Sequence, residues 1–189
     1  MLIKYNFFVN ILGLDISSST IGWALVSYKD EGKPSVISYG HIKPPGSNKG
    51  SLTYRISCAY NQIEDLLHSL GDIDAVAIEA YANKFTKGRS SARTIIVLSV
   101  FNELVSLACF KTLNIEPKKY AVVTIRSCLS KFFNKKIESK DDAFLSIEKY
   151  FDEFNTRLNR KGSIKKECYD ESDAIAVSIA YIHKEILNV

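Results

Sequence analysis

The stretch Asn10-Ile11-Leu12-Gly13-Leu14-Asp15-Ile16 does most to restrict what this chain can fold into. It is a short apolar run with a carboxylate at its end, and a Ser17-Ser18-Ser19-Thr20 turn cluster follows at once. Such a run reads as a buried strand rather than a helix, because it is short and closes on turn residues. An ionised Asp inside that strand would carry a heavy desolvation cost, so Asp15 belongs at an open sheet edge or beside a cation. Ile21 to Tyr28 reads as a second strand, Lys29 to Pro34 as a hairpin loop and Ser35 to Ile42 as a third strand. Three strands joined by short turns make an antiparallel meander.

Beyond the meander the pattern changes. Lys43 to Gly50 is a loop by composition, and from Ser51 to Leu70 the apolar positions recur at helical spacing. Asp74-Ala75-Val76-Ala77-Ile78-Glu79 is another buried-type strand closing on a carboxylate. A polar, basic loop (Asn83 to Arg89) and a long apolar helix from about Ser91 to Lys111 come next. Tyr120 to Thr124 reads as a fifth strand, and two or three helices fill the rest, the last from about Asp170 to Leu187. A meander followed by alternating strands and helices predicts an α/β fold, a mixed five-stranded sheet flanked by helices.

With 189 residues, 46% hydrophobic and 24% charged, one domain spanning residues 1–189 is expected, and wholesale disorder and fibrous repeats are excluded. No apolar run approaches the ~20 residues of a membrane span, so no membrane partner is expected. The N-terminus does not resemble a secretory signal. Cys58, Cys109, Cys128 and Cys168 form no CxxC pair, and His41, His68 and His183 lack zinc-ligand spacing. Reduced thiols in a cytoplasmic protein are the expectation, in a bacterial cell or an infected host, with an organelle matrix left open. The net charge of +4 says little about partners by itself.

Four acidic residues stand out by position. Asp15 and Glu79 each end an apolar strand, and Asp170 and Asp173 stand three apart at the start of a strongly apolar helix, on one helical face. Strands one and four lie side by side in a sheet of this order, which would bring Asp15 and Glu79 together. A helix across that end could add the other two. Four carboxylates converging without compensating histidines or lysines would repel strongly unless cations bind. Hard oxygen ligands favour Mg²⁺ or Mn²⁺, and two such ions about 3.5–4 Å apart can activate a water and stabilise the leaving oxygen of a phosphodiester. Taken singly, each acid is also compatible with a turn, a solvated strand end or helix N-capping.

The run Ile11 to Ala24 resembles the first strand-turn-strand of the RuvC-type Holliday junction resolvases, members of the RNase H-like nuclease superfamily. Ala77-Ile78-Glu79 resembles their second acidic strand, and Tyr169 to Ala180 their C-terminal DxxDAxAxAxA helix, the most specific of the three motifs. The resemblance covers roughly Ile11 to Ile186. It implies an RNase H-like fold, a homodimer, and cleavage of four-way DNA junctions with Mg²⁺ as cofactor, Mn²⁺ substituting. It carries over Asp15, Glu79, Asp170 and Asp173 as metal-binding catalytic carboxylates. Arg126, in Thr124 to Leu129, takes the role of a basic residue near the scissile phosphate, and Lys140 matches a lysine at the start of the following helix. No small-molecule cofactor is implied. The family's glycine-rich stretch is replaced here by Lys131-Phe132-Phe133-Asn134-Lys135-Lys136. The loop after Glu79 is longer and more basic, with Tyr81 and Phe85 as candidates for the family's aromatic wedge. These departures point to a phage, viral or otherwise divergent member.

The segment Lys84 to Arg93 combines basic residues with one aromatic and opens a helix, a composition suited to phosphate binding. Lys87, Arg89 and Arg93 are its candidate DNA contacts, and Phe85 or Tyr81 could stack on bases at a branch point. Two rival functions share parts of the pattern: a ribonuclease H acting on RNA–DNA hybrids and a non-catalytic branched-DNA-binding protein. A sugar-kinase-like ATPase shares only the first motif, and this chain is too short for two such lobes.

Overall fold

Alternation along the first strand decides which side of the sheet each residue serves. In the computed structural model, which describes residues 8–29, 32–81 and 92–188, β1 (Phe8–Ile16) lies at the centre of a five-stranded sheet. Leu12 and Leu14 of β1 pack in one core cluster, and Ile11 packs in a second on the opposite face. Successive strand residues point to opposite faces, so Asp15 falls on the face of Ile11 and Gly13. β1 pairs antiparallel with β2 (Ile21–Lys29), which pairs antiparallel with β3 (Ser35–Ile42). On the other side β1 pairs parallel with β4 (Ala75–Glu79), and β4 pairs parallel with β5 (Lys118–Tyr120). The order is therefore β3-β2-β1-β4-β5, the mixed sheet expected from the sequence.

Helices α1 (Leu52–Ser69) and α2 (Ala92–Leu113) cover one face, where Ile63, Leu67, Val105 and Ala108 pack on Leu12, Leu14, Val76 and Ile78. The other face carries α3 (Val122–Phe132), α4 (Lys140–Tyr150) and α5 (Lys166–Tyr181), the last continuing into a π-helical turn over Ile182–Ile186. Because both faces are covered, the central strands read as continuous apolar runs instead of alternating ones.

Helix α5 lies very close to the sheet. A Cβ added at Gly13 would sit 2.1 Å from the Ala174 carbonyl oxygen, and one at Gly22 would sit 2.1 Å from that of Asp170. Only glycine leaves room for helix backbone there. These two contacts set the height of α5 above the carboxyl end of β1.

Three expectations need correction. The fifth strand is Lys118–Tyr120, and the chain is already helical from Val122. The β-branched run Val122-Val123-Thr124 favours a strand locally, but Ile125, Cys128 and Leu129 repeat at helical spacing and are buried, so packing overrides propensity. The last helix starts at Lys166, so Asp170 and Asp173 lie inside it and not in its first turn. Finally, α2 is long and apolar enough by length and composition to span a membrane, contrary to the expectation that no segment is. One side of it serves the fold: Phe101, Asn102, Val105 and Ala108 are buried, while Ile96, Leu107 and Phe110 are exposed.

Replacing Gly22 with Ala forces α5 away from β2. We expect a loss of at least the 1–3 kcal/mol typical of overpacking, read from urea denaturation. A Gly71→Ala control, where an added Cβ meets nothing within 4 Å, should show no such loss. Equal stabilities for the two variants would mean that the close approach is not a constraint.

Candidate active site

Asp15 and Glu79 come together for a simple reason. The parallel register of β1 and β4 pairs Leu14 with Ile78, so the next residue on each strand is a carboxylate. Neighbouring strands are about 4.8 Å apart, and both acids fall on the α5 face. On α5, Asp173 faces the same place, and Asp15, Glu79, Asp173, Arg126 and Lys140 line one cleft of about 240 Å³. Asp170, one turn earlier, stands at its margin and is 8% exposed. The four acids singled out in the sequence thus gather at one end of the sheet.

Their surroundings oppose ionisation. Burial, then the charges of Glu79 and Asp173, hold the Asp15 carboxyl well above the ordinary carboxylate range. Glu79 is pushed up to about 7 by burial and by Asp173, against the pull of Lys140 and Arg126. Burial also raises Asp173 and Asp170, with Lys140 acting in the opposite direction on both.

Lys140 corrects one expectation: the acids do not converge without a compensating lysine. Its Nζ lies 2.5 Å from Asp173 Oδ2 and 3.8 Å from Asp170 Oδ1. Burial disfavours its charge, but the attraction and hydrogen bond of Asp173, with help from Asp15 and Asp170, hold its pKa above the ordinary value. Lys140 is the first residue of α4, where the helix dipole disfavours a cation, so its placement is decided by the carboxylates. The capping box of Ser139 and Asp142 fixes that helix end. Arg126 projects from α3 and donates from Nη1 to the Glu138 carbonyl at 3.0 Å, which ties it to the segment leading into Lys140.

The donor set fits a hard divalent cation. It consists of carboxylate oxygens alone, and Asp170 Oδ2 is buried with no hydrogen-bond partner among the described residues. Among the described residues, no three acidic, histidine or cysteine side chains stand as a ready-made ion cage. Lys140 supplies the positive charge in this arrangement.

Of the remaining sequence candidates, Tyr81 is half-buried, two residues beyond β4, and Arg93 is exposed in the first turn of α2. Arg93 lines a different pocket, beyond the turn that follows β1. Phe85, Lys87 and Arg89 lie outside the described residues.

Sequence reasoning missed Glu171. It is fully buried on α5 and bonded to a guanidinium and an imidazole: Arg157 Nη2 contacts Oε2, and His41 Nδ1 lies 2.8 Å from Oε1. His41, Gly22 and Asp15 form one row across three strands, so this network sits on the far side of α5 from Asp15. Arg157 and His41 are distant in sequence from Glu171, and the available signal was an acid within an otherwise apolar helix. Arg157 also donates from Nη2 toward Cys168 Sγ at 3.6 Å.

Strand order and covering helices together define an RNase H-like fold, and comparison with known proteins shows that the chain is similar to RuvC-type resolvases. Over 181 residues the chain is 26% identical to the crossover junction endodeoxyribonuclease RuvC of Ehrlichia ruminantium (strain Gardel), covering 93% of this chain and 97% of that protein. Thermus thermophilus RuvC, solved in complex with a Holliday junction substrate, superposes with a TM-score of 0.70 at 14% identity, over 95% of this chain and 96% of that one. The yeast mitochondrial Holliday junction resolvase gives a TM-score of 0.65 at 10% identity, over 92% and 78%. No protein-family model matches the chain.

Two predictions follow from the electrostatics. A carboxyl whose folded pKa lies above its unfolded value contributes stability below the unfolded pKa and loses it as pH rises through the folded one. For Glu79 that window runs from 4.5 to about 7. In chelator-treated protein, Glu79→Gln should therefore melt several degrees above wild type at pH 8 and close to it at pH 4. Parallel melting curves across that range would remove Glu79 from the strained set. Separately, Arg157→Leu strips a cation from a buried carboxylate and should cost about 3–5 kcal/mol. The double variant Arg157→Leu/Glu171→Leu should regain much of that in urea denaturation. A double variant no more stable than the single one would show that the pair is not coupled.

Proposed function

We propose that this protein is a divalent-metal-dependent endodeoxyribonuclease that resolves four-way DNA junctions as a homodimer. The observation carrying the reading is the convergence of Asp15, Glu79, Asp170 and Asp173 at the carboxyl end of β1 and β4, with Arg126 and Lys140 beside them, on the fold of the RuvC-type resolvases. The relatives named crossover junction endodeoxyribonuclease support the reaction type.

Asp15, Glu79, Asp170 and Asp173 would hold Mg²⁺, or Mn²⁺ in its place. Bound there, such ions would supply an activated water and charge neutralisation on the leaving oxygen of the phosphodiester. The chain itself contributes position and charge. Arg126 and Lys140 carry positive charge into an otherwise acidic cleft, which draws in a phosphodiester that the carboxylates alone would repel. Hydrolysis then leaves a 5′-phosphate and a 3′-hydroxyl. The α5 backbone, seated against Gly13 and Gly22, places Asp170 and Asp173 close to the strands.

Cutting two symmetric strands calls for two sites, and exposed Ile96, Leu107 and Phe110 on α2 give a second copy an apolar surface to cover. Tyr81 or Phe85 would stack on unpaired bases at the branch, with Lys87, Arg89 and Arg93 contacting phosphates. One domain comprising the whole chain and a reducing, cytoplasmic setting complete the reading. The four free cysteines are consistent with that setting.

The test compares a mobile four-way junction, a flap, linear duplex and an RNA–DNA hybrid, with Mg²⁺ and with excess chelator. Junction cleavage should require the metal and exceed cleavage of the other substrates, while Ca²⁺ should support binding without turnover. Asp15→Asn, Glu79→Gln and Asp173→Asn should each abolish cleavage and keep junction affinity, because they remove negative charge that faces phosphate; Asp170→Asn should be severely impaired. Preferred cleavage of the hybrid would favour a ribonuclease H. Unchanged cleavage in chelator would overturn the metal dependence.

A further inference from the structure

Arg55 is a buried cation with no paired carboxylate among the described residues. It lies in the second turn of α1 and is 7% exposed. Its Nε donates to the Pro45 carbonyl at 2.7 Å and its Nη2 to the Ser18 carbonyl at 2.6 Å, and the guanidinium rests over the Phe101 ring at 5.5 Å. Two carbonyls and a ring face orient the group but do not neutralise it. Among the described residues no carboxylate pairs with Arg55, whereas Lys43, Lys119, Lys140 and Arg157 each have one. Burying a charge without a counter-ion is costly, and the fold keeps this one with carbonyl and ring contacts alone.

What Arg55 lines is a pocket of about 810 Å³, walled by the Ser18-Ser19 turn, the Gly46–Ser51 loop and the start of α2. Arg93 stands on its rim, and no described lining residue is acidic. The N-terminus of α1 opens into it, with Ser51 capping the Tyr54 amide, and the first turn of that helix holds no acid. Positive partial charge at a helix start, two guanidiniums, hydroxyls and no carboxylate describe a receptor for a phosphate. Arg55 also builds the pocket, since its two carbonyl bonds pin the turn after β1 and the loop before α1 to one helix.

We infer that this pocket is a second nucleic-acid subsite, binding a backbone phosphodiester of the DNA outside the catalytic cleft. Ser18 and Ser19 follow Asp15 by three and four residues, so a bound strand could engage both places. The assignment of the phosphate to DNA rests on the resolvase reading; the phosphate chemistry of the pocket does not.

The experiment therefore has two arms. In the first, inorganic phosphate is titrated into DNA-free protein and melting is followed. Phosphate should stabilise wild type more than Ser47→Asp, a variant that sets a negative charge on an exposed loop of the pocket wall. Equal shifts would mean only general salting-out and would overturn the pocket as an anion site.

In the second arm, junction affinity is measured in Ca²⁺ as salt is raised. Ser47→Asp and Arg93→Ala should each weaken binding about tenfold and lower the slope of log affinity against log salt by about 0.9, one phosphate contact. Ser35→Asp, which adds the same charge on exposed β3, should change affinity less than twofold. Equal effects of Ser47→Asp and Ser35→Asp would overturn the DNA contact. Arg55→Lys keeps the charge but loses the fork, and is read in the phosphate arm once folding is verified by circular dichroism. If wild type cleaves no junction yet phosphate still distinguishes Ser47→Asp, the resolvase reading fails while the anion site stands.

Discussion

The candidate site depends on how closely α5 approaches the sheet. Its backbone passes over Gly13 and Gly22 at a distance that any Cβ would block, and this seats Asp170 and Asp173 beside the ends of β1 and β4. With side chains at these two positions the helix would stand farther out, and its carboxylates would shift away from the strand ends. Small residues on the facing side of α5, Ala174 and Ser178, complete the fit. The same contact that consolidates the core therefore assembles the chemistry.

Electrostatics works against this assembly. The fold places four carboxylates where burial and mutual repulsion disfavour their charge, a strained arrangement of the kind found at functional sites. Lys140 and Arg126 relieve part of it from two other helices, and a divalent cation would relieve more. The arrangement favours positive charge of any kind in the cleft, which links cation binding to conformational stability.

Cations elsewhere divide the molecule further. Glu171 turns away from the cleft, paired with Arg157 and hydrogen-bonded to His41, which anchors the other side of α5 to β3 and to the segment before the helix. Arg55 is the opposite case, a buried cation held by carbonyls and a ring. One face of the sheet end is thus acidic with borrowed positive charge, and the neighbouring pocket is positive, with no acid among its described lining residues.

Much of this was legible in the chain before folding. Apolar runs ending on Asp15 and Glu79 announce strand ends, and their period of two settles that both acids share a face once the strands are parallel neighbours. The DxxD spacing and the small residues after it announce a helix that can lie close to a sheet. The sequence did not disclose the strand-like run Val122-Val123-Thr124 as a helix, because local propensity is weak against burial of Ile125, Cys128 and Leu129. Nor did it disclose Lys140 as the counter-ion of Asp173, Glu171 as the partner of His41 and Arg157, or Arg55 as the floor of a pocket. Local sequence determines periodicity, turn chemistry and where a charge interrupts an apolar run. Which charge meets which is decided by contacts between residues scores of positions apart, and only tertiary packing brings them together.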